Sequence, residues 1–315
     1  MNRRELMLAG IALALPFPAA AAAATPAEWT PAQFHAARRF VDLPVGRVAY
    51  VERGSGPVAI FLHGYPLNGF QWRGPMALLA THRRCVTPDL MGLGYSEIPA
   101  GTSLSPIAQS EMIVAFMDRL GIAEADFVAN DSATGIAQLI AANAPNRVRS
   151  LLLTNGDVDI NSPPELLMPF IEQCRNGQAD AWFLRHYRDR NWARTGDGLA
   201  STFRHPEKAL SDENIEVYFG PLVATSERLA QARRYGTDML PNPLPAIAPK
   251  LRTFPRPVRM VWARNLDLFP DDGAVWLDRT FPASRGIRFV DDAKLFFPEE
   301  RPDLIADEAR RLWGV

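Results

Sequence analysis

The tightest constraint on this chain is one short stretch, Phe127-Val128-Ala129-Asn130-Asp131-Ser132-Ala133. An apolar, strand-like run passes into a helical stretch with no linker, and a carboxylate sits at the junction. So sharp a strand-to-helix turn is strained, and only small side chains fit two places before and two places after its central residue. Alanine fills both places here, Ala129 and Ala133, where glycine is usual. Asp131 then stands at a strand end and a helix N-terminus, whose partial positive charge favours an ionised carboxylate. Such a group is a candidate nucleophile. The simpler alternative is that Asp131 only N-caps the helix.

The surrounding pattern supplies a sheet for this turn. Strand-like runs occur at 40–42, 48–52, 58–62, 85–88, 127–130, 150–154, 258–262 and 287–290. Most are rich in Val, Ile, Leu and Phe without clean alternation, as strands buried on both faces are. Helical stretches separate many of them. Gln109–Leu120 carries Met112, Ile113, Phe116, Met117 and Leu120 on one stripe and stops at Gly121. Strand–helix alternation of this kind implies a mostly parallel sheet covered on both faces. The segment 161–249 breaks the pattern with helix-like, aromatic-rich sequence. It reads as a helical cap inserted between two parts of one core, 26–160 and 250–315.

The first 25 residues are a separate matter. Arg3-Arg4 precede an uncharged run from Leu6 to Leu15, and alanines fill 19–24. A basic start, an apolar middle and a small-residue end read as a signal peptide. The paired arginines resemble a twin-arginine signal. The expectation is export, to the periplasm, with no stable membrane span in the mature chain. A formal net charge of −1 over 315 residues gives no reason to expect a nucleic-acid partner. The two cysteines, Cys85 in a strand and Cys174 in a probable helix, read as free buried thiols. No Cys/His spacing suggests a metal, and no cofactor is called for.

A second motif, Phe61-Leu62-His63-Gly64-Tyr65-Pro66, directly follows a strand. A loop there can give one backbone N–H, from Tyr65, to an oxyanion site. Ser132, the residue after the candidate nucleophile, gives the other. The His63 ring reads as a structural loop group rather than a proton carrier.

Together with Pro88-Asp89-Leu90-Met91-Gly92-Leu93-Gly94-Tyr95-Ser96 and Pro298-Glu299-Glu300-Arg301-Pro302, these motifs resemble the α/β-hydrolase superfamily. They are most similar to its haloalkane dehalogenase and epoxide hydrolase branch. The resemblance covers nearly all of the chain after the leader and is weakest in the cap. It implies an eight-stranded, mostly parallel sheet with a helical cap. It also implies an Asp that opens a carbon–halogen or epoxide bond to form an ester, a His-activated water that hydrolyses it, and an acid that orients the His.

The sequence departs from that set. Leu295 stands at the position of the family His, in Asp292-Ala293-Lys294-Leu295-Phe296-Phe297. Leu266 stands at the position of the acid, with Asp267 one residue later as the candidate acid. A second acid position gives Asn155, with Asp157 two residues on. All five histidines lie earlier, at 35, 63, 82, 186 and 205. Loss of a general base typically costs about 10²–10⁴-fold in rate. His186 or His205 of the cap must then supply the base, or the chemistry differs, or the chain only binds. Leucines around Asp131 raise its pKa while the helix end lowers it, and sequence does not rank the two. Tyr187 and Tyr218 are candidates to grip an epoxide oxygen, and Trp72 and Phe70 read as lid or pocket wall. The first reading is an enzyme acting through Asp131 on a small apolar substrate. The alternatives are a lyase or isomerase using Asp131 as acid/base, and a binding protein on an inactive scaffold.

Overall fold

A computed structural model describes residues 27–315. The expected signal peptide, 1–25, lies outside the described residues. Eight strands form one sheet: β1 (Arg39–Leu43), β2 (Gly46–Arg53), β3 (Val58–Leu62), β4 (Arg84–Pro88), β5 (Ala125–Asp131), β6 (Val148–Gly156), β7 (Val258–Ala263) and β8 (Ser284–Val290). Their order is β1-β2-β4-β3-β5-β6-β7-β8. The β1–β2 and β2–β4 pairs are antiparallel and the other five are parallel. All eight expected strands are present, and all but β3 reach a residue or more beyond the apolar run that marks them.

The centre of the sheet explains that reading. Every residue of β5 is buried, as are four of five in β3 and eight of nine in β6. Helices Pro106–Arg119, Ser132–Asn143, Asp271–Thr280 and Pro302–Trp313 flank the sheet. The first turns Met112, Ile113, Phe116 and Met117 inward, the stripe its sequence carries. Between β6 and β7 the chain runs through helices, the longer ones being Met168–Asn176, Ala179–Arg188, Asp212–Val223 and Ser226–Asp238. Buried aromatics such as Phe183, Tyr218 and Phe219 join this layer to the rest of the core. Among the described residues, no helix is long and apolar enough to cross a membrane.

Candidate active site

The site is built on the β5 turn. Asp131 has φ 58° and ψ −133°, in the left-handed half of the map, and the next residue opens helix Ser132–Asn143. A non-glycine residue held there costs about 1–3 kcal/mol of strain. Small neighbours permit it: Ala129 and Ala133 are fully buried, and Gly156 of β6 faces the turn. A Cβ at Gly156 would lie 2.1 Å from the Asp131 carbonyl oxygen. The Asp131 side chain makes no capping bond to its own helix. It turns instead to the loop after β3, where the Tyr65 N–H donates to Oδ2 at 2.7 Å. The Ser132 N–H, the first of that helix, lies near the same carboxyl group and favours its ionised form. Gly64 lets the loop come this close, since a Cβ there would stand 2.6 Å from Asp131 Cβ.

A buried polar brace fixes both halves. The Gly64 N–H donates to Gln71 Oε1 at 3.0 Å, and Gln71 Nε2 donates to Asn130 Oδ1 at 2.7 Å. Asn130 Nδ2 donates in turn to Thr154 Oγ1 and to the Leu295 carbonyl. One side chain beside Asp131 thus ties together the β3 loop, the end of β6 and the loop after β8. His63 works similarly: Nδ1–H donates to the Gly64 carbonyl and Nε2 accepts from the Leu90 N–H. Both ring nitrogens are occupied, and burial lowers its pKa, so His63 is a neutral structural tie.

Asp131 opens on a pocket of about 440 Å³. Its walls include Leu167, Phe170, Met239, Leu268, Leu295 and Phe296, and its polar groups include Asp131, Ser132, Asp157 and, toward solvent, Asp197. Among the described residues, no Arg, Lys or His lines it. Burial raises the Asp131 pKa to about 7 against the lowering effect of the Ser132 and Tyr65 N–H groups. Desolvation therefore outweighs the N–H donors that hold the carboxyl.

The residues singled out in the sequence separate into two groups. Tyr65, Ser132, Leu295 and Asp131 meet at the pocket floor. Asp267 does not: it is exposed on the loop after β7, and Leu268 and Phe269 of that loop face the pocket instead of Leu266. Asn155 braces β6 to β7 through the Ala263 amide and carbonyl. Trp72, expected as lid or wall, is fully buried against Phe61 and is not a lining residue. Phe70 is likewise buried, against Phe34 and Tyr218. Tyr218, expected to face substrate, donates to Glu299 Oε2 at 2.7 Å, where Arg73 also binds. Tyr187 lies toward the outside and donates to Glu216. The cap histidines are also elsewhere. His186 is locked between the Trp182 carbonyl and the Leu199 N–H, and His205 is exposed beside Glu207. Cys85 and Cys174 are buried free thiols.

Three residues of the site carry little or no sequence signal. Asp157 lies just past β6, 5% exposed, and lines the pocket. Its pKa is pushed well up by burial and then by the Asp131 charge, against a hydrogen bond with Ser162. Its one sequence hint is its place two residues beyond an expected acid position. Tyr235 stacks on Tyr65, with ring centroids 5.0 Å apart, and its hydroxyl meets Ser132 Oγ at 3.1 Å. Gln71 carries no sequence signal at all.

Comparisons with known proteins agree with this architecture. Residues 57–300 match the alpha/beta hydrolase fold family. Haloalkane dehalogenase 2 of Mycobacterium tuberculosis is 33% identical over 117 residues, covering 37% of this chain and 41% of that one. Epoxide hydrolase 3 of Siraitia grosvenorii is 30% identical over 133 residues, covering 42% and 41%. The chain thus matches about two fifths of the length of these curated relatives. Among solved structures, the epoxide hydrolase CorEH superposes with TM-score 0.73 at 20% identity, covering 88% of this chain and 98% of that one. A haloalkane dehalogenase loop variant from Bradyrhizobium elkanii gives 0.68 at 24% identity, covering 88% and 96%. The eight-stranded sheet, the strained turn at the end of β5 and the match over 57–300 coincide, and the chain belongs to the alpha/beta hydrolase fold family.

Proposed function

We propose that this chain is an enzyme whose Asp131 carboxylate attacks a small, uncharged, apolar electrophile, an epoxide or an alkyl halide, and forms an ester. One observation carries this reading. A carboxyl group bound by the Tyr65 N–H, on a strained turn beside the Ser132 N–H, opens on a largely apolar pocket in which no described lining residue is cationic. The Tyr65 N–H steadies one carboxylate oxygen, Oδ2, and leaves the other for attack. When water later adds to the ester carbonyl, the Tyr65 and Ser132 N–H groups are placed to meet the developing oxyanion. The pocket of about 440 Å³ suits a molecule of modest size. Resemblance to named haloalkane dehalogenases and an epoxide hydrolase supports the chemistry.

The test is intact-mass analysis after brief incubation with 1,2-epoxyhexane or 1-bromohexane. An adduct on Asp131, absent from Asp131→Asn, is the expected result. Turnover without any adduct on Asp131 points to a second reading, in which Asp131 is a general acid/base in a lyase or isomerase. Its pKa of about 7 favours that alternative. Neither adduct nor turnover, with ligand binding retained in Asp131→Asn, points to a binding protein.

A further inference from the structure

We infer that Asp157 is the proton carrier of this site, serving as acid when the substrate opens and as base when the ester is hydrolysed, and that it fits the pocket to epoxides over alkyl halides. This rests on Asp131 acting as the nucleophile.

The backbone places Asp157 beside the elbow. Gly156 pairs with Asp131 across β5 and β6. The Asp157 N–H donates to the Asp131 carbonyl at 3.3 Å, and its own carbonyl accepts from Gln138 Nε2 at 2.8 Å. Gly135 of the elbow helix makes room for it, since a Cβ there would lie 3.1 Å from Asp157 Cβ. The Asp157 side chain then lines the same pocket as Asp131. Other proton carriers are withdrawn from that floor. Tyr65 Oη donates to the Ala232 carbonyl, Tyr235 Oη pairs with Ser132 Oγ, and no histidine is a lining residue.

Two carboxyl groups in one desolvated pocket do not both ionise easily, so they hold one proton between them. Burial and the Asp131 charge both favour keeping it on Asp157. The resting pair is therefore Asp131 carboxylate with Asp157 carboxylic acid. Asp131 attacks an epoxide carbon, the C–O bond breaks, and the departing oxygen takes the Asp157 proton. The product of this half is an ester, a hydroxyl group and Asp157 carboxylate. Asp131 no longer carries charge. Asp157 then takes a proton from water as the hydroxide adds to the ester carbonyl, with the oxyanion at the Tyr65 and Ser132 N–H groups. Collapse expels the alkoxide, which takes the proton of the new Asp131 carboxyl group. The diol leaves, and both carboxyl groups return to their first state.

An alkyl halide breaks this cycle. Bromide departs without taking a proton, so the ester forms with Asp157 still a carboxylic acid, now held so by burial rather than by the Asp131 charge, and no base is generated for the ester. The same pocket should be alkylated by a bromoalkane and then stall.

Two probes and one variant test this. The wild-type chain should turn over 1,2-epoxyhexane repeatedly, and with 1-bromohexane should stop at one Asp131 ester per chain. Asp157→Asn should still be alkylated by 1-bromohexane, which also shows that it is folded. It should lose epoxide turnover by about 10²–10⁴-fold, the usual span for a lost acid/base. Epoxide turnover by Asp157→Asn at the wild-type rate overturns the assignment. So does rapid wild-type release of hexanol from 1-bromohexane. If Asp157→Asn does not fold, the wild-type contrast between the probes still decides. Wild type that forms no Asp131 ester with either probe removes the nucleophile reading itself, and this inference with it.

Discussion

Replacing Asp131 with asparagine keeps the size of the side chain and removes its charge, so stability then reports the cost of burying that charge. Burial raises this carboxyl from its ordinary value of 3.8 to about 7. At about 1.4 kcal/mol per tenfold change in proton affinity, that is about 4 kcal/mol. The sign follows from linkage. Between pH 4 and pH 7 the folded chain holds a proton that the unfolded chain has lost. Its stabilising effect is complete below about pH 4 and is lost as pH rises through about 7. The substituted asparagine does not titrate. The variant should match wild type near pH 4 and exceed it by about 4 kcal/mol above pH 8, on the order of 10 °C in Tm. Asp157 shares the pocket and also titrates, so the pair is measured again in an Asp157→Asn background. Urea denaturation at pH 4.5 and pH 8.5 provides the comparison. An advantage that is equal at both pH values, or a less stable variant at pH 8.5, refutes the claim that this carboxyl is desolvated.

Further outcomes follow from the same geometry. If ionised Asp131 is the attacking group, the alkylation rate should rise about tenfold per pH unit up to about pH 7 and then level, as a stopped-flow or quench series shows; the groups facing it are Asp157, Tyr65 and Tyr235. Gly64→Ala drives a methyl group to 2.6 Å from Asp131 Cβ and 2.8 Å from Phe296 Cε1, so alkylation should fall by at least about 10²-fold in a quenched assay. His186→Gln should keep steady-state constants within about threefold while losing about 1–3 kcal/mol of stability, because both ring nitrogens serve backbone groups. Carboxylate-bearing probes should bind at least about tenfold more weakly than neutral ones of equal size at pH 8, since the described lining residues include three aspartates and no cation. N-terminal sequencing of the processed chain should begin after the alanine tract at 19–24 if the leader directs export.

The framework is legible in the sequence because its signals are local. Buried parallel strands announce themselves as short apolar runs, and the Ala129–Asp131–Ala133 spacing encodes a tight turn. His63-Gly64-Tyr65 after β3 likewise places the N–H donor without knowledge of distant residues. The parts that are not legible depend on which way a side chain turns. Trp72, Tyr218 and Tyr187 have the composition of a pocket wall, yet they pack into the core, meet Glu299 and reach Glu216. Asp267 is one residue from an expected acid position, and that single step leaves it exposed outside the pocket. Asp157 acquires its environment from the β5–β6 register and from Gly135, contacts that no linear spacing reveals. The contest between the helix end and the apolar surroundings of Asp131 also needs the burial itself, which decides for the higher pKa.

Where the oxygen of water goes tests the central claim most directly. A single turnover of 1,2-epoxyhexane by excess protein in ¹⁸O water, followed by mass analysis of the peptide bearing Asp131, distinguishes an ester intermediate from direct hydration. The ester account predicts ¹⁸O in the Asp131 carboxyl group and unlabelled diol. Labelled diol with an unlabelled Asp131 peptide contradicts it.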